Sequence, residues 1–145
     1  PKMIRSATLL AAAIAVLSPT AAQAQPSKAG AYVAKEQMAE ACGSRKRAKA
    51  ASDAFQEKDL TGDGRPDLLV NHRKIRCAKK RKNVRCGPKN CTIQIYVRTK
   101  RGLLKPAFEV LAKEAKIGAG DKPAIIITSS LGTGKVRWDG KAFSQ

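Results

Sequence analysis

The sequence predicts an α+β domain, an N-terminal helical segment followed by a small, mostly antiparallel β-sheet, braced by disulfides. Three observations predict it. Residues 31–42 are rich in Ala, Glu, Lys, Gln and Met, which favour helix. Residues 91–99 alternate cleanly, with Cys91, Ile93, Ile95 and Val97 on one face and Thr92, Gln94, Tyr96 and Arg98 on the other. Four cysteines, an even number, stand in a chain whose start reads as an export signal.

That start has the three parts of a signal peptide. Arg5 supplies a positive charge, residues 7–17 are apolar apart from Thr8, and Ala22-Gln23-Ala24 offers the small residues a peptidase accepts after the Ser18-Pro19 break. An apolar run this short cannot cross roughly 30 Å of hydrocarbon. Residues 1–24 are therefore expected to be removed after Ala24, leaving a periplasmic or secreted chain with no transmembrane span. Residues 25–30 read as a flexible lead-in, and 31–145 as one domain expected to be monomeric.

Charge narrows the class of partner. The 29 basic residues, less Lys2 and Arg5, against 11 acids leave a net charge of about +16. Self-repulsion on that scale works against a compact state. Outside the cytoplasm it points to anionic polymers: lipopolysaccharide, acidic glycans, lipid surfaces or nucleic acid. Six aromatics make a thin core, which would gain from covalent or metal bracing.

Taken in order, residues 31–42 form the first helix, with Gly43 able to end it. Ser44 is placed to cap a second helix over 45–55, where Ala48, Ala51 and Phe55 fall at helical spacing and Arg45, Lys46, Arg47 and Lys49 face water. A Gly/Asp turn over 59–67 precedes a strand at Leu68-Leu69-Val70. Residues 73–89 carry nine Lys/Arg, two cysteines and no acid, and read as an exposed loop or irregular hairpin arm. The strand at 91–99 follows, then a turn at Arg101-Gly102. Residues 105–118 fit two patterns: Pro106 and the Glu109/Lys113 spacing suit a helix, while Phe108 and Val110 suit a strand. Strands at 124–128 and 136–138, a hairpin turn at Asp139-Gly140 and a closing Ala142-Phe143 complete the chain.

Asp59-Leu60-Thr61-Gly62-Asp63-Gly64-Arg65-Pro66-Asp67 is the most informative segment. Side-chain oxygens of Asp59, Thr61, Asp63 and Asp67 occupy positions 1, 3, 5 and 9, Gly64 stands at position 6, and Arg65 would offer its carbonyl at position 7. EF-hand-type loops hold calcium this way, although Val70 replaces the bidentate Glu at position 12. Clustered carboxylates repel unless a cation or hydrogen bonds compensate. The expected occupant is a structural calcium ion. The alternative is a metal-free Asp/Gly turn balanced by Lys58 and Arg65.

This loop, running straight into an apolar strand, resembles the calcium loop of FG-GAP/VCBS-type repeats. More closely, Cys86-Gly87-Pro88-Lys89-Asn90-Cys91 before the alternating strand and the ending Trp138-Asp139-Gly140-Lys141-Ala142-Phe143 resemble small single-domain exported proteins of Gram-negative bacteria. The resemblance covers residues 42–145. It implies an extended conformation over 108–117, the reading adopted here. It implies no activity, and a single loop cannot build a propeller.

Three disulfide pairings are possible for Cys42, Cys77, Cys86 and Cys91; the expected one closes the Gly-Pro turn as Cys86–Cys91 and ties helix to arm as Cys42–Cys77. The rival is a Cys₃His zinc site of His72, Cys77, Cys86 and Cys91. Arg73, Lys74, Arg76, Lys79, Lys80, Arg81, Lys82 and Arg85 form the candidate polyanion footprint, with a solvated charge run as the bland alternative. Without interleaved aromatics, any nucleic-acid binding would be sequence-blind and salt-sensitive. Gly132-Thr133-Gly134-Lys135 lacks phosphate-loop spacing. His72, the one histidine, sits where a proton is disfavoured, and no nucleophile–base arrangement stands out. The expected function is a non-catalytic exported binding module with a structural calcium loop. Its alternatives are a polyanion binder acting through 73–89 and a hydrolase drawing on Glu109, Glu114, Asp121 and Asp139.

Overall fold

The computed structural model describes residues 25–145; the expected signal peptide and its cleavage point lie outside the described residues. The chain is α+β. Helix α1 (Lys28–Cys42) begins at Ser27, whose Oγ accepts the Gly30 N–H at 3.0 Å, and ends where Gly43 turns left-handed at φ 75°. It starts three residues before the expected boundary, so among the described residues the lead-in shortens from 25–30 to 25–27. Ser27 is itself fixed, because its N–H and Oγ–H both donate to Glu57 Oε1 at 2.9 Å.

The expected second helix does not form. Ser44 makes no side-chain cap, Arg45–Arg47 is a single 3-10 turn, and the chain then extends as β1 (Ala48–Ala50) and β2 (Phe55–Lys58). Local spacing suited a helix, but β1 pairs antiparallel with β4 (Ile75–Cys77), and β2 pairs with β3 (Asp67–Asn71). Tertiary pairing overrides the weak propensity.

Two four-stranded antiparallel sheets follow. The first has the order β2-β3-β5-β6, with β5 at Cys91–Arg98 and β6 at Leu104–Ala112. The second has the order β10-β9-β8-β7, from β7 (Glu114–Ile117), β8 (Ile125–Ser129), β9 (Gly132–Trp138) and β10 (Phe143–Ser144). Residues 105–118 are thus strand rather than helix, passing from one sheet to the other at Lys113. Pro106 is accommodated because β6 is an edge strand and a bulge falls opposite Ile95 and Tyr96.

The strand alternation explains the layers. Leu69, Ile93 and Ile95 point to the second sheet and pack with Ile125, Ile127, Val136 and Phe143 in the main core. Leu68, Val70 and Tyr96 point the other way and pack with Val33 of α1. The first sheet is therefore covered on both faces, which is why β3 is buried throughout and why Thr92, Gln94 and Arg98 are buried too. A third cluster, Ala41, Cys42, Ala48, Ala54 and Ile75, seats the β1–β4 ribbon against the end of α1.

Both expected disulfides are formed, Cys42–Cys77 and Cys86–Cys91, and no described cysteine is free. The Cys₃His zinc alternative is thereby overturned, since a thiol in a disulfide cannot ligate zinc. Among the described residues, no helix is long and apolar enough to cross a membrane.

Candidate functional site

The β1–β4 ribbon joins two cationic runs that lie apart in the chain. Its register places Ala48 opposite Cys77, Lys49 opposite Arg76 and Ala50 opposite Ile75. The small apolar Ala48 and Ile75 face the protein, so Lys49 and Arg76 are turned outward together. Two like charges directly opposite one another repel. Beyond the strands, the Ala78 N–H donates to the Arg47 carbonyl at 2.7 Å, which keeps Arg45, Lys46 and Arg47 beside the start of the arm. The sequence reading assigned these three and Lys49 to a solvated helix face; the structure makes them part of the same surface as 73–82. Only a non-local pairing signal would have revealed it.

At the ribbon's tip the Arg81 N–H donates to the Ala78 carbonyl, closing a turn in which Lys79 and Lys80 both adopt left-handed backbone, φ 55° and 57°. Such turns favour Asn and Gly; two lysines there carry a conformational cost. A depression on the ribbon is lined by Lys49, Ala50, Ala51, Arg73, Lys74 and Arg76. Asp53 reaches Lys74 at 3.0 Å, leaving Lys49, Arg73 and Arg76 without an acidic partner among the ion pairs of the described residues.

Arg85 differs from the rest of the predicted footprint. Its side chain is only 21% exposed and bridges Glu40 at 3.3 Å and Glu109 at 2.9 Å, pinning the arm to α1 and β6. Beside it, His72 is completely buried with neither ring nitrogen hydrogen-bonded. Burial first, and the Arg85 charge second, push its pKa down to about 4. The ring is neutral at physiological pH, and Asn83 closes the arm over it by donating to the His72 and Ile75 carbonyls at 2.9 and 3.0 Å.

The Asp/Gly loop is organised by its own amides. Asp59 Oδ1 accepts N–H bonds from Gly62 at 2.7 Å, Thr61 at 3.2 Å and Asp63 at 3.3 Å, and Oδ2 accepts from Gly64 at 2.7 Å. Burial opposes ionisation of Asp59, but these four donors outweigh it and hold the carboxyl below the usual range. Asp67 is fully buried; its Oδ2 accepts from Leu60 at 2.9 Å and Thr61 at 3.1 Å, and its Oδ1 from the Arg98 N–H at 2.8 Å. Desolvation raises its pKa, against the pull of the Arg98 and Leu60 amides. Asp63 accepts from the Arg65 amide and pairs with the Arg65 guanidinium. Among the described residues, no three His, Cys, Asp or Glu side chains stand together as a metal-ligating group. The loop thus draws its amides onto Asp59 and Asp67 and pairs Asp63 with Arg65, and structural calcium held by Asp59, Thr61, Asp63, Arg65 and Asp67 stays an expectation that a melting experiment tests.

Comparison with family models, with curated proteins and with solved structures gave no match. The site residues therefore rest on their own geometry. Of the acids considered for hydrolysis, Glu109 is engaged by Arg85 and Asp139 accepts the Lys141 and Ala142 amides of the final turn at 2.8 and 2.9 Å. Gly132-Thr133-Gly134-Lys135 lies in β9, paired with β8, rather than in a loop.

Proposed function

We propose that this protein is an exported binding module whose working surface is the cationic β1–β4 ribbon, and that its partner is a polyanion recognised by charge. The pairing of Lys49 with Arg76 carries the reading, because it merges the runs at 45–49 and 73–82 into one surface. Cys42–Cys77 locks that ribbon to α1, which lowers the entropic cost of presenting a fixed array of charges. Export is supported by the two disulfides, which persist in oxidising compartments. No catalytic role is proposed.

The surface offers guanidinium and ammonium groups and no aromatic platform, so it fits repeating phosphate, sulfate or carboxylate groups rather than bases. The test is retention on immobilised heparin. The wild type is expected to elute at high salt, and Lys49→Ala/Arg76→Ala/Lys79→Ala/Lys80→Ala much earlier with its fold intact by circular dichroism. Equal elution of the two proteins would refute the reading.

A further inference from the structure

The cationic ribbon does not stand alone on its side of the molecule. The Arg73 guanidinium donates to the Lys89 carbonyl, joining the lining of the ribbon depression to the loop closed by Cys86–Cys91. Lys89 in turn lines a second depression with Gly87, Pro88, Asn90, Leu111 and Ser130. Asn90, Leu111 and Ser130 also line a larger groove, roughly 580 Å³, between β6 and the β8–β9 hairpin. That groove is walled by Phe108, Val110, Ile127 and Val136, and two large apolar side chains are left to water at its edges: Leu111 is 61% exposed and Leu131 97%. The Asn90 side-chain amide donates to Ser130 Oγ at 3.2 Å and holds the loop and the hairpin together.

The track is therefore basic at one end and apolar at the other. A purely hydrophilic polyanion would leave the apolar end uncovered, and a neutral apolar ligand would leave Arg73 and Lys89 unanswered. Charge complementarity along one continuous surface selects a single class of occupant. We infer that the protein binds an anionic amphiphile, with a phosphate-type headgroup at Arg73 and Lys89 and an alkyl chain along Leu111 into the groove toward Leu131. This goes beyond the ribbon reading by adding a second ligand class on the adjoining groove, and it rests on that reading only for the charge that meets the headgroup.

The experiment is calorimetric titration of the purified protein with inorganic phosphate, octyl phosphate and dodecyl phosphate, each below its micelle concentration, with dodecyl maltoside as the uncharged control. Affinity is expected to rise about four-fold for each methylene that enters the groove, with dodecyl maltoside much weaker than dodecyl phosphate. Leu111→Asp and Leu131→Asp replace exposed side chains, so folding is preserved, and each should flatten the chain-length series while leaving heparin retention unchanged. Arg73→Ala/Lys89→Ala should weaken dodecyl phosphate at least ten-fold. Affinity independent of chain length, or a series that the two leucine variants do not flatten, would overturn the inference. The two readings fail separately: a flat series with salt-sensitive heparin retention removes only the groove, and a steep series with heparin retention unaffected by the ribbon variant removes only the polyanion surface.

Discussion

His72 and Asp67 are two fully buried ionisable groups with opposite solutions to burial. His72 has no hydrogen-bond partner and is kept neutral, whereas Asp67 is wrapped by three amides. The folded-state pKa of His72, about 4, lies below its ordinary 6.5, so between those values the unfolded chain binds the extra proton. Stability is accordingly full above pH 6.5 and falls by about 1.4 kcal/mol per pH unit toward pH 4, about 3 kcal/mol in all. Urea unfolding at pH 7 and pH 4.5 measures this, and His72→Leu should flatten the slope over that window. For Asp67, replacement by Ala leaves the amides of Leu60, Thr61 and Arg98 without their acceptor, and a loss of about 3 kcal/mol is expected. For the loop that holds them, a structural calcium ion is expected to raise the melting temperature by several degrees at millimolar calcium and EDTA to lower it; no shift in either direction would remove the metal site. The Asp/Gly spacing was legible in the sequence. What it could not reveal is that Leu60, Thr61, Gly62, Asp63 and Gly64 all turn their N–H groups inward onto two carboxylates.

At the scale of the elements, the ribbon carries the greatest tension. Lys79 and Lys80 occupy a turn suited to Asn-Gly, at the tip of a strand pair with Lys49 facing Arg76. Replacing Lys79-Lys80 with Asn-Gly is expected to raise stability by about 1–2 kcal/mol, read by urea unfolding, and to lower heparin retention. Opening Cys42–Cys77 by a double Ala change should cost about 2–4 kcal/mol, and the ribbon amides should exchange first. The element readings succeeded where one segment decides its own fate, as in α1 and in the alternation of β5. They failed at 45–55 because Ala48, Ala51 and Phe55 suit a helix locally, while Ala48 and Phe55 are claimed by partners at Cys77 and Val70. The same non-local pairing creates the candidate surface, so the two cationic runs were legible and their union was not.

At the scale of the whole molecule, two sheets and one helix supply a rigid support whose charge is concentrated on a covalently fixed ribbon. Lys116 and Lys135 of the second sheet, which flank Ile126 on one face, lie on different strands from that ribbon. They provide a control of equal charge. The most direct test of the polyanion surface is the salt dependence of affinity for a short DNA duplex, used as a phosphate polymer of known charge density. If the ribbon is the contact, the slope of log K against log salt should be steep and should lose about 0.9 for each phosphate contact removed. Lys49→Ala/Arg76→Ala should then flatten it, and Lys116→Ala/Lys135→Ala should leave it unchanged. A slope near zero in the wild type, or equal losses in the two variants, would contradict a ribbon that reads its partner by charge.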